Sequence, residues 1–192
     1  MSYSPTDPQR LEGLFEHVER YLGPTRYAQP AEIEGRNRGF AVGIHDHPEL
    51  SMVTAATTGV RFQPIQSPLP LEFACSARPG QEDEAAYLVH VFADMAVRNG
   101  SEVEYDDGFR NDEPLIPGTG IHGLLAAPHP CADEMFNLFR NERDELQLQF
   151  ITLVPITAPE ADYLREHETG ELFELWESEG TDLLDLYRAS GV

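Results

Sequence analysis

From Leu146 to Thr157 the chain reads Leu-Gln-Leu-Gln-Phe-Ile-Thr-Leu-Val-Pro-Ile-Thr. Leu146, Leu148 and Phe150 alternate with Gln147 and Gln149, and from Ile151 to Val154 both faces turn apolar. A strand that starts at a sheet edge and runs into a core has this pattern, so the segment is the expected central strand, with Phe150 and Leu153 on opposite faces. Pro155 cannot donate to a ladder, which predicts that the strand stops there. Thr157 followed by Glu160, with Pro159 in the first turn, spells a capping box, so a helix should begin only a few residues later. Two short acidic helical segments and a closing Asp182-Leu183-Leu184-Asp185-Leu186-Tyr187-Arg188 follow.

Upstream, Asp7-Pro8 predicts a helix start, with Leu11, Leu14, Phe15, Val18, Tyr21 and Leu22 on one stripe before Gly23-Pro24 ends it. Residues 39–44, 50–58 and 69–75 read as three strands, the first two joined through His45-Asp46-His47-Pro48. Pro64, Pro68 and Pro70 make the connection to the third a surface or edge loop. Glu82 to Arg98 is the clearest helix, with Ala85, Leu88, Val89, Phe92, Met95 and Ala96 on one face and Asn99-Gly100 at its end. From Ser101 to Gly120 the periodicity vanishes into a long acidic loop, and residues 121–127 read as a further short strand. This order predicts an α/β (α+β) fold, a mixed β-sheet with helices packed against it.

At 192 residues the chain can bury a core without staples, and the whole of residues 1–192 is expected to form a single domain. Trp176, with Leu172, Phe173 and Leu175, is read as core. Cys75 ends an alternating apolar run and Cys131 lies in a proline-rich loop, which predicts reduced thiols in a cytoplasmic protein. No stretch has the apolar length to span a bilayer, so no membrane association is expected. The 13 cations, all arginine, face 34 carboxylates, for a net charge of -21. That balance argues against nucleic-acid binding, because there is little cation to replace phosphate counterions, and it favours a basic partner.

Phe150 to Thr157, then Glu160, Gly170, Leu172, Leu175 and the closing Asp182-Leu183-Leu184-Asp185 with Arg188, resemble the C-terminal part of the suppressor-of-fused-like domain. The opening helix ending in Tyr21-Leu22-Gly23, the helix from Ala85 to Ala96 and the Leu115-Ile116-Pro117-Gly118-Thr119 turn fit the same pattern. The animal protein that names the family carries a further C-terminal domain, so whatever depends on a cleft between two domains is not implied here. The resemblance implies a non-enzymatic, cytoplasmic protein-binding domain. Single-domain bacterial members are held to act as immunity proteins that neutralise a toxin, and an acidic inhibitor would suit a basic toxin.

Two sets of residues are candidates for function. The acidic loop offers Asp106, Asp107, Asp112 and Glu113 for steering a partner, and Tyr105 and Phe109 for contact with it. The alternative, a metal-dependent small-molecule enzyme, would use His45 and His47, two apart on a strand and so on one side, with His122 as a third ligand. That tripeptide partly resembles a first cupin motif but lacks its glutamate, since Met52 and Val53 stand where a carboxylate would be needed. The competing reading makes it a polar hairpin connection, so that no cofactor is expected and both histidines should be replaceable at little cost in stability. His129-Pro130-Cys131 reads as a turn, and nothing around either cysteine activates a nucleophile.

Overall fold

The computed structural model describes residues 12–33, 35–100 and 102–192. Its elements run α1 (Leu14–Leu22), β1 (Thr25–Gln29), the short hairpin of β2 (Glu32–Ile33) and β3 (Arg36–Asn37), β4 (Ala41–Asp46), β5 (Val53–Thr58) and β6 (Leu71–Ala77). Then come α2 (Glu82–Asn99), β7 (Gly108–Arg110), β8 (Ile121–Ala127), β9 (Leu138–Arg140), β10 (Leu146–Thr157), α3 (Ala158–Tyr163) and α4 (Thr169–Glu179). One mixed sheet has the order β1-β4-β5-β6-β10-β8-β7, with β9 also on β10. The expected α+β architecture is therefore observed. β6 and β10 pair in parallel, and α2 with the elements up to β9 supplies the long crossover that parallel neighbours need.

β10 is flanked on both sides from Gln149 to Thr152, by β6 on one side and by β9 and then β8 on the other, and each of its ends is paired on one side. It does not begin at a bare edge, because Leu146 and Leu148 already pair with Arg140 and Phe139 of β9. Nor does it stop at Pro155, which pairs with Leu124 of β8. The Pro155 carbonyl accepts from Arg188 Nη2 at 3.0 Å. In an extended chain a residue's N and O point to the same side, so the missing N–H faces that side rather than the β8 ladder, and β6 pairing has ended by Thr152. Proline is tolerated where its ladder is absent. The strand consequently runs to Thr157, which caps α3 without any intervening residue, and the capping box with Glu160 is present as expected.

The sheet is covered on both faces. On one, α2 lays Ala85, Leu88, Val89 and Phe92 against Phe73, Cys75, Ile151 and Leu153. On the other, α1 packs Leu14 and Leu22 near Phe136, Phe139, Leu148 and Phe150, while α3 and α4 bring Ala161, Leu172 and Trp176 to Leu125, Val154 and Ile156. Phe150 and Leu153 lie in different clusters, as their odd spacing on a strand requires. Gly23 turns the chain from α1 into β1 at φ 91°, and a Cβ there would meet the Asp46 carbonyl oxygen at 2.0 Å.

Several expectations need correction. Phe15 is 60% exposed: the described α1 turns Leu14, His17, Val18, Tyr21 and Leu22 inward, and Phe15 sits a step of about 100° around the helix from Leu14. Met95 is 38% exposed rather than buried with Phe92. β1, β7 and β9 are short strands that the pattern did not reveal. The helix start at Asp7-Pro8, and Leu11 with it, lie outside the described residues.

Because Phe150 is 1% exposed and its ring stacks on Phe136 at 4.6 Å between centroids, Phe150→Ala should cost about 3–5 kcal/mol through lost burial and a residual cavity. A denaturant titration checks this; a loss below about 1 kcal/mol would show that the site collapses and that the strand is not central.

Candidate functional site

The histidines of the hairpin are held apart by their own hydrogen bonds. His45, on β4, is 4% exposed, and its Nδ1 donates to the Gly23 carbonyl at 3.1 Å. Burial lowers its pKa, with the Gly23 bond and nearby Glu19 and Asp46 opposing. Losing this ring would leave a buried carbonyl unpaired, so the expectation that both histidines are dispensable does not extend to His45. His47 instead closes the turn: its Nδ1 accepts from Glu49 N at 3.2 Å and Leu50 N at 2.9 Å. His122 is on β8, separated from β4 by β5, β6 and β10. Four interstrand steps of about 4.8 Å put it roughly 19 Å away, so the three rings cannot share a metal. The three-histidine set is not assembled, and His45-Asp46-His47-Pro48 leads from β4 into the connection to β5.

His129 repeats the arrangement of His47. Each precedes a proline, and the His129 Nδ1 accepts from Cys131 N at 3.1 Å and Ala132 N at 2.9 Å. Its Nε2 must then carry the proton and donate to Ser76 Oγ, 2.7 Å away, which also shares a hydrogen bond with Thr54 Oγ1 at 2.7 Å. A serine nucleophile needs the opposite polarity, with the imidazole accepting from the hydroxyl. Thr54, Ser76 and His129 therefore form a buried structural relay. Cys75 lies in β6 with its thiol pushed up to about 12 by burial, which leaves it unreactive.

The acidic loop is better ordered than its sequence indicates. Asp106 N donates to Ala126 O and Ala126 N to Asp107 O, both at 2.8 Å, which pins the loop to β8 before β7 begins. Asp106 has φ 74°, a conformation that aspartate and asparagine adopt more readily than most residues. The Asp107 carboxylate accepts from Glu104 N at 2.8 Å, and Arg110 pairs with Asp162 at 2.7 Å. Asp106, Asp112 and Glu113 are exposed, and Asp107 is half-buried.

The two aromatics point inward. Tyr105 donates to the Phe150 carbonyl at 2.9 Å, and Phe109 meets Phe92 edge-on at 4.6 Å between centroids. Both are half-buried against the α2 core. The loop thus presents carboxylates outward while its half-buried aromatic rings anchor it to the core.

Apolar side chains that do reach solvent lie next door on α2. Tyr87, Val91 and Met95 are 50%, 43% and 38% exposed, and their four-residue spacing sets them along one helical line. With Phe109, Asn111 and Leu115 they line a groove of about 210 Å³. The signal was present as an apolar series offset from the buried stripe, but the same helix has enough core positions to hide it.

Protonation of His129 gives a direct check on this geometry. Burial first, and nearby His47 second, lower its pKa from 6.5 to about 4. The fold therefore favours the neutral ring. Its contribution is complete above pH 6.5 and is lost as pH falls towards 4, by about 3 kcal/mol in all. His129→Asn, which can keep an acceptor for the two N–H groups, should lack this part of the acid destabilisation. Superimposable stability profiles for wild type and variant between pH 7 and 4 would show that His129 is not held neutral.

A family model described as Suppressor of fused protein (SUFU) matches residues 38–189. A protein from Neisseria gonorrhoeae FA 1090, described as a homologue of suppressor of fused, superposes with a TM-score of 0.67 at 19% identity, covering 96% of this chain and 95% of that one. A chain of the Sufu–Fu complex gives 0.70 at 10% identity, covering 96% and 93%. Drosophila Suppressor of Fused gives 0.69 at 11% identity, covering 96% of this chain but only 51% of the fly chain. No curated protein matches the sequence. At these identities the structural likenesses carry the fold alone.

Proposed function

The chain belongs to the suppressor-of-fused family, and from that footing we propose that it is a non-enzymatic, cytoplasmic protein-binding domain that neutralises a basic toxin in the manner of an immunity protein. The observation that carries this reading is the outward-facing charge of the β7 region. Asp112 and Glu113 are exposed and take part in no ion pair among the described residues, while Arg110 beside them is engaged by Asp162. A chain of the same fold has been crystallised in a Sufu–Fu complex, which supports a protein as the partner class. Net charge of -21 favours a cationic one, since complementary fields accelerate encounter by roughly 10–1,000-fold at low salt. Hydrogen bonding supports the non-enzymatic part: the Nδ1 lone pairs of His47 and His129 are both taken up by backbone N–H groups.

Products of neighbouring genes, used as baits, should include a basic protein that this chain captures and whose toxicity it suppresses on co-expression. Replacing Asp106, Asp107 and Asp112 by Asn and Glu113 by Gln should slow association and flatten its salt dependence, with the folding midpoint preserved. Tyr105→Ala and Phe109→Ala should lower stability instead. Association at the wild-type rate across a salt series for the four-residue variant would remove the loop from the interface, and failure to suppress toxicity would remove the immunity role.

A further inference from the structure

We infer that the groove between α2 and the segment from Phe109 to Leu115 is the apolar seat for an amphipathic basic helix of the partner. This inference rests on the protein-binding reading above and specifies where and by what chemistry the partner is held. Tyr87, Val91 and Met95 leave about 12 Å of exposed apolar line along α2, from a rise of about 1.5 Å per residue over eight residues. That length suits a helix carrying apolar residues at i, i+4 and i+7 or i+8, the usual spacing of a helix laid in a groove. The floor is rigid, because Phe92 beneath it is 3% exposed and locked edge-on to both Phe73 and Phe109.

The charge around the groove selects the occupant. Asp83 is exposed one turn before Tyr87, and Asp112 and Glu113 lie between the lining residues Asn111 and Leu115; none of the three takes part in an ion pair among the described residues. Arg110 also lines the groove and is paired with Asp162, while Arg36 and Arg98 are paired with Asp94. A seat with an apolar floor and an anionic rim admits apolar side chains flanked by Lys or Arg. It disfavours a second copy of this chain, which would bring the same acidic rim against it.

The probe is a synthetic helical peptide with Leu at i, i+4 and i+7 and Lys or Arg on its flanks, compared with a scrambled peptide of identical composition. Fluorescence anisotropy with the full chain should show the ordered peptide binding at least about tenfold more tightly than the scrambled one, the difference being apolar registry rather than charge. Val91→Glu, at an exposed position that should leave the denaturation midpoint unchanged, should abolish that difference, and Met95→Ser should reduce it. Asp112→Asn with Glu113→Gln should weaken both peptides at low salt and neither at high salt. Equal binding of the two peptides, or a Val91→Glu protein that still discriminates between them, overturns the inference. A basic toxin that binds wild type and Val91→Glu equally well also overturns it while leaving the protein-binding reading intact, and absence of any toxin binding alongside peptide discrimination would separate the two the other way.

Discussion

A single buried carboxylate holds the C-terminal third of the molecule in register. Glu160 is fully buried, and its two oxygens accept five hydrogen bonds: from Arg188 Nη1 and Nη2 at 2.6 and 2.8 Å, Thr157 N at 2.7 Å, Gly191 N at 2.9 Å and Trp176 Nε1 at 3.0 Å. Burial alone would raise its pKa, but the Arg188 hydrogen bonds and charge, helped by the Thr157 and Gly191 amides, hold it below the usual carboxylate range. Arg188 also reaches the Pro155 carbonyl. The end of β10, the start of α3, the indole of α4 and the tail after α4 therefore share one electrostatic centre. Desolvating such a pair costs several kcal/mol, and full hydrogen bonding on both sides is what offsets it.

Glu72 plays the matching part on β6. Its carboxylate takes Thr57 Oγ1 at 2.6 Å, Gly59 N at 2.8 Å, Val60 N at 3.1 Å and Arg61 Nη1 at 2.5 Å. It thereby fixes the turn that leaves β5. Arg188 and Arg61 are drawn inward, and nine of the twelve described arginines lie within ion pairs, all but Arg20, Arg38 and Arg143. The carboxylate excess is left to the surface. The protein's negative field follows from 34 carboxylates set against 13 arginines, and it extends past the apolar line of α2 that the core leaves uncovered.

How much of this was legible depended on the range of the interaction. Local signals read well: the Thr157-Glu160 cap, the Gly100 end of α2 and the His-Pro turns are all set by residues within one or two turns of each other, whereas Gln147, expected on a polar face, is buried. The resemblance to the family picked out Glu160 and Arg188 without revealing that they touch, since 28 positions separate them. Short strands such as β7 and β9 were hidden because three residues carry no usable period, and their pairing is decided by β8 and β10. Pro155 misled for a related reason: whether a missing N–H matters depends on which neighbour that side of the strand faces. In the acidic loop, the packing of Tyr105 and Phe109 was hidden, because the sequence does not show that Phe150 of β10 and Phe92 of α2 lie within their reach.

The most direct test of the account is a double-mutant cycle between Glu160 and Arg188, using Glu160→Gln, Arg188→Met and the pair, followed by equilibrium unfolding in denaturant. Each single replacement strands a buried partner and should cost about 3–5 kcal/mol. The double variant should be more stable than the sum of the two losses by at least about 2 kcal/mol, because the second change removes the group that the first left unpaired. Single losses below about 1 kcal/mol, or additivity within about 0.5 kcal/mol, would contradict the claim that this pair organises the C-terminal part of the fold.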